Sequence, residues 1–129
     1  MTHVSAGGLR SPGNLNRHPQ SAVVVFAVWE PILPTDWSKP STSALARLND
    51  RRVRQYWDRD HTLSAVLKNA EETGARHPDC CERNGFLWDL TAAYAPGVQW
   101  RATLPQPMLL NGPVVQTTAD LDNAVAKAK

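Results

Sequence analysis

No segment of this chain approaches the roughly 18 consecutive apolar residues that a membrane-spanning helix needs. Its start, Met1-Thr2-His3-Val4-Ser5-Ala6-Gly7-Gly8, lacks the charged-then-apolar pattern of a signal peptide. These absences predict a cytoplasmic protein with no membrane contact, unless an export signal lies upstream of Met1. A phosphate-cradling glycine loop, a nucleophile elbow and a dinucleotide fingerprint are missing as well, which removes the common motif-bearing enzyme classes. Charge of one sign is not in excess. The formal net charge is +2, and the densest basic stretch, Arg51-Arg52-Val53-Arg54, is flanked by Asp50, Asp58 and Asp60, which argues against a nucleic-acid partner. Cysteine is scarce: two residues in 129, and they are adjacent.

That pair, Cys80-Cys81, sits in the polar segment from His77 to Gly85. Neighbouring Cα atoms lie about 3.8 Å apart across a trans peptide, whereas an ordinary disulfide needs roughly 4.4 to 6.8 Å. The pair therefore reads as two free thiols, a soft-metal site or a strained redox switch, and not as a structural staple. Arg76 and Arg83 are placed to lower a thiol pKa, and a thiolate is both nucleophile and soft-metal ligand. His77, Cys80 and Cys81 would supply three ligands to zinc or a similar ion, with His61 as a candidate fourth. His-x-x-Cys-Cys is not an established zinc spacing, however. The plain alternative is one buried packing cysteine beside an incidental surface thiol, with no cofactor required.

With 129 residues and 42% apolar content, the chain has material for one domain with one core. Residues 1–20 carry glycine and proline but few bulky apolar side chains, and are expected to form a flexible tail ahead of a domain over 21–129. Ala22 to Trp29 is a continuous β-branched and aromatic run, read as a strand covered on both faces. Ser41-Thr42-Ser43 offers N-caps to a short helix from Ala44. Val53–Trp57 reads as a second strand, and Thr62 as the cap of a helix bearing Leu63, Val66, Leu67 and Ala70. Phe86–Tyr94 reads as a third strand. Met108 to Val115 reads as a hairpin about Asn111-Gly112, and Thr117 or Thr118 caps a last helix with Leu121, Ala124, Val125 and Ala128 on one stripe.

In this order, β-α-β-α-β-β-α, the chain resembles the thioredoxin-like superfamily. Pro107-Met108-Leu109-Leu110-Asn111-Gly112-Pro113-Val114-Val115 looks like the proline, strand, turn and strand that finish a thioredoxin. Short stretches such as Val28-Trp29-Glu30-Pro31 and Tyr94-Ala95-Pro96-Gly97 look like those of uncharacterised bacterial thioredoxin-like proteins. The resemblance implies an α/β three-layer sandwich with a central mixed sheet, and Pro107, or else Pro105, as the family's cis-proline. The family's Cys-x-x-Cys is absent: the loop Glu30–Pro40 has no cysteine, which excludes ordinary dithiol exchange there. Asp36, Trp37 and Ser38 remain candidates to line a ligand groove at the strand's C-terminal edge, but the plainer and favoured reading is that Asp36 and Ser38 organise a turn and Trp37 covers core.

The five tryptophans read first as packing groups. Glu30, Asp36 and Asp89 show no spacing that identifies an acid–base pair, and His61 stands at a helix start without an identified partner. Two functional readings follow. One is thiol-dependent redox or soft-metal handling through Cys80 and Cys81. The other is a non-catalytic module that binds a protein or small-molecule partner with the tryptophan-bearing loop 30–40.

Overall fold

The structure is a computed structural model that describes residues 2–6, 12–33, 35, 38–72, 81–102 and 104–128. The apolar run expected as the first strand forms β2, Val24–Trp29, and the second expected strand is β3, Val53–Trp57. The two pair in parallel, with Val25 opposite Val53 and Trp29 opposite Trp57. The segment expected to be a tail contains β1, Thr2–Ala6, and a helix α1, Pro12–Arg17. β1 lies at the middle of a five-stranded sheet. It pairs in parallel with β2 on one side and antiparallel with β6, Leu90–Tyr94, on the other. Beyond β6 comes the edge strand β7, Leu109–Asn111, again antiparallel. Composition misjudged this segment because it counts only the apolar surface a stretch carries, whereas a strand flanked on both sides satisfies its backbone groups through distant partners.

This insertion overturns the thioredoxin-like three-layer sandwich. The described strands run β3-β2-β1-β6-β7 across the sheet, so an N-terminal strand that the order β-α-β-α-β-β-α does not contain separates β2 from the antiparallel pair. The expected cis-proline fails too, since the cis peptide among the described residues is Gly112–Pro113.

The stretch expected as one strand over Phe86–Tyr94 is broken at Asp89, whose φ is 54°. Its first part, β5 (Phe86–Leu87), pairs back on β4 (Glu82–Arg83) through Asn84-Gly85. Those two residues hold φ of 52° and 82°, the left-handed pair that a two-residue hairpin turn requires and that Asn-Gly adopts most readily. The second Asn-Gly does not make a hairpin. Pro113 has no N–H to donate, the Val114 N–H is taken by Asp89 Oδ1 at 3.2 Å, and Val114–Gln116 is a turn of 3₁₀-helix.

Alternation along the strands splits the core between two sheet faces. One carries Phe26, Val28, Ala92, Tyr94 and Leu110, packed with Leu63 and Leu67 of α3 (Thr62–Glu72) and with Cys81, Leu87 and Leu90. On the other, Leu15 of α1 packs on Val23, Val25 and Val53. Leu121 and Val125 of α4 (Thr118–Lys127) pack there on Ala93 and Leu109. A four-residue helix α2, Thr42–Leu45, is capped by the Ser41 hydroxyl, which accepts from Ala44 N. Arg52 of the basic stretch turns inward. Its guanidinium forms a two-pronged pair with Asp50 and donates to the carbonyls of Leu15 and His18 at 2.9 and 2.7 Å. It thereby closes the end of α1.

Candidate functional site

Parallel strands β2 and β3 end level with one another, and the next residue of each is acidic: Glu30 after Trp29 and Asp58 after Trp57. The Asp58 amide donates to the Trp29 carbonyl at 2.8 Å, which carries the pairing one step beyond the strands. The C-terminal edge of parallel strands is where open α/β sheets gather their chemistry. From Asp58 the chain turns sharply into α3. The Asp58 carboxylate accepts from the amides of Thr62 and Leu63 at 3.0 and 2.8 Å, so it caps the helix in place of the expected Thr62. Burial acts to raise its pKa, but these amide bonds outweigh burial and hold the carboxyl below its ordinary value.

His61 closes that turn with φ 56°, a left-handed conformation that costs a non-glycine residue about 1 to 2 kcal/mol. Its ring stacks on Phe86 with centroids 3.9 Å apart and planes 16° from parallel. The β4–β5 hairpin delivers Phe86 to this position, and the Leu87 amide ties the hairpin to α3 by donating to Ser64 Oγ at 2.7 Å. Held so, His61 Nδ1 lies 3.6 Å from Glu30 Oε2, with the imidazole 13% and the carboxyl 2% exposed.

Among the described residues no hydrogen bond of ordinary geometry reaches either Glu30 oxygen or His61 Nδ1, although the Asp58 carboxyl and the Ser64 amide both lie close enough to act on Glu30. A charged carboxylate in such a place is costly, so the group retains its proton. Burial first, and then the negative charge of Asp58, push the Glu30 pKa up to about 8, against a smaller downward pull from the Ser64 amide. Two carboxyls side by side are thus driven in opposite directions, the arrangement by which one member becomes an acid at neutral pH. Glu30 Oε2 and His61 Nδ1 face one another at 3.6 Å, just beyond direct hydrogen-bond length.

Asp89 reaches the same sheet edge, because Ala6 of β1 pairs with both Val28 and Leu90. Burial raises its pKa and the bond from Val114 N lowers it, with burial prevailing. Against it, at 3.6 Å from its carbonyl oxygen, lies the sulfur of Cys81. Cys81 is 2% exposed, belongs to the core, and is disulfide-bonded. That corrects the reading of two free thiols. The chain's other cysteine, Cys80, and His77 lie outside the described residues, as do Asp36 and Trp37. Ser38 is exposed. Pro107 lies away from this edge and lines a cavity of about 420 Å³ between β7 and α4. Among the described residues, no group of three or more His, Cys, Asp or Glu is placed to hold a metal ion.

Sequence reasoning therefore missed Glu30, Asp58 and His61 as a group. A signal was present: an acidic residue follows each of the two apolar strand runs. Comparison of the chain with protein-family models, with curated proteins and with solved structures finds no match.

Proposed function

We propose that this protein is a proton-transfer enzyme in which His61 meets a small polar substrate and Glu30, behind it, stores the proton. The observation that carries this reading is the buried Glu30 carboxyl, set beside Asp58 and facing His61 Nδ1 at 3.6 Å, with its proton held up to about pH 8. The transfer balances without any other group. His61 gives the proton on Nε2 to the substrate while Glu30 gives its own proton to Nδ1, leaving a neutral imidazole and a carboxylate. The reverse sequence takes a proton from substrate. In this scheme His61 is the catalytic residue and Glu30 a positioning and storage residue; unlike the carboxylate of a Ser-His-Asp triad, which stays ionised, Glu30 carries the proton it hands on.

Infrared difference spectroscopy across neutral pH tests the scheme directly. Wild type is expected to show a buried carboxylic acid ionising near pH 8, and Glu30→Gln is expected to lack it. In a panel of small esters, amides and carbonyl compounds, the turnover found should fall about a hundredfold or more in His61→Gln, chiefly in kcat. Turnover indifferent to both substitutions, with no carboxyl titrating near neutrality, overturns the reading.

A second reading is favoured by the disulfide at Cys81: reversible oxidation of the adjacent cysteines, with the reduced pair and His77 offering ligands to a soft metal such as zinc. It expects a two-hydrogen mass gain on mild reduction, reversed by peroxide, and loss of both behaviours in Cys80→Ser/Cys81→Ser. Activity that survives that double substitution but not His61→Gln separates the two readings.

A further inference from the structure

A second site lies near the same strand ends but on different elements. A cavity of about 210 Å³ opens among Trp29, Trp57, Lys39, Pro40, Leu45 and Gln55. We propose that it binds a single-ring aromatic carboxylate. Its walls are set by the register of β2 and β3, which places Trp29 directly opposite Trp57. They are also held in place without a ligand: Trp29 Nε1 donates to Gln55 Oε1 at 3.0 Å, and Gln55 Nε2 donates to the Leu45 carbonyl of α2 at 2.9 Å. A site whose side chains are already tied loses little entropy on binding.

Size and charge select the ligand. An apolar cavity of about 150 Å³ accommodates benzene, so this one takes one ring and a small substituent. Indole faces favour a flat π-system stacked or edge-on. Among the described residues of the lining Lys39 is the one charged side chain, and it makes no ion pair with any of them. With a cation and, among the described residues, no carboxylate in the wall, the substituent is an anion. The site is independent of the proton-transfer pair, since Glu30 faces the α3 side whereas Trp29 is tied to α2 through Gln55.

Titration of the full chain with benzoate, benzylamine and cyclohexanecarboxylate, followed by tryptophan fluorescence and calorimetry, tests the proposal. Benzoate is expected to bind saturably at one site, cyclohexanecarboxylate more weakly, and benzylamine not at all. Lys39→Met should weaken benzoate about tenfold, the loss of one charge-assisted contact, and Lys39→Arg should restore most of it. Lys39 is exposed, so its replacement leaves the fold in place. Absence of saturable benzoate binding, equal binding of benzylamine, or full affinity in Lys39→Met overturns it. Glu30→Gln should leave benzoate binding unchanged, so neither site's failure mimics the other's.

Discussion

A single buried carboxyl ties the site of this protein to its stability. In the folded chain Glu30 keeps its proton up to about pH 8, against an ordinary value of 4.5. Its contribution to stability is therefore complete below 4.5 and is lost as pH rises through 8. Over that window the loss amounts to about 1.4 kcal/mol per pH unit. Glu30→Gln imitates the neutral acid, so urea unfolding of wild type should weaken from pH 5 to pH 8 relative to the variant. Parallel curves for the two proteins contradict the buried-acid assignment. Asp50 behaves in the opposite sense. The Arg52 guanidinium holds its carboxyl down at about 2, from 3.8, so that stabilisation is present above 3.8 and disappears as pH falls through 2. Arg52→Met removes the pair and leaves the carbonyls of Leu15 and His18 without this donor. It should cost about 2 to 4 kcal/mol in chemical denaturation and abolish the acid-dependent loss that wild type shows.

At the level of elements, the turn from β3 into α3 couples the helix cap to the proton site, because one side chain serves both. Thr62 N and Leu63 N bond different oxygens of Asp58, so Asp58→Asn keeps an acceptor for one of the two amides and removes the charge beside Glu30. Stability should fall by less than the 1 kcal/mol or so that losing the whole cap costs, while the Glu30 titration moves downward. Asp58→Ala loses the cap as well and should show both effects. A Glu30 titration unmoved in Asp58→Asn would mean that burial alone sets it. The β4–β5 hairpin has a comparable double role, since its turn supplies Phe86 to His61. Gly85 holds φ 82°, and a Cβ at that position would meet no atom within 4 Å, so Gly85→Ala is strained by conformation and not by collision. It should cost about 1 kcal/mol. Ring-current shifts of the His61 protons report whether Phe86 has left the stack.

For the whole molecule, the location of β1 decides what can be removed. A strand between two neighbours contributes hydrogen bonds on both edges, so a chain beginning at Gln20 loses the middle of its sheet together with α1. That truncation should abolish cooperative thermal unfolding and most slow amide exchange in β2 and β6. A freely dispensable tail predicts the reverse, an unchanged melting profile. No described helix is long and apolar enough to cross a membrane, as the hydropathy of the chain led one to expect.

Much of the local structure was legible in the residues. The apolar run at Val24–Trp29, the strand at Val53–Trp57, the Ser41 cap, and the stripe Leu121, Ala124 and Val125 follow from periodicity and capping chemistry, which act over a few residues. The residue list alone also established that any disulfide within the chain joins Cys80 to Cys81, because there are no other cysteines. Tertiary packing settled everything that depends on which distant segments lie side by side. Thr2–Ala6 is a strand because two others flank it. One Asn-Gly turns a hairpin and the other does not, since Pro113 has no N–H to close the second and Asp89 draws the Val114 amide into a different turn. Glu30, Asp58 and His61 meet because two parallel strands end in register, an alignment set by long-range pairing and buried packing that no short-range pattern encodes.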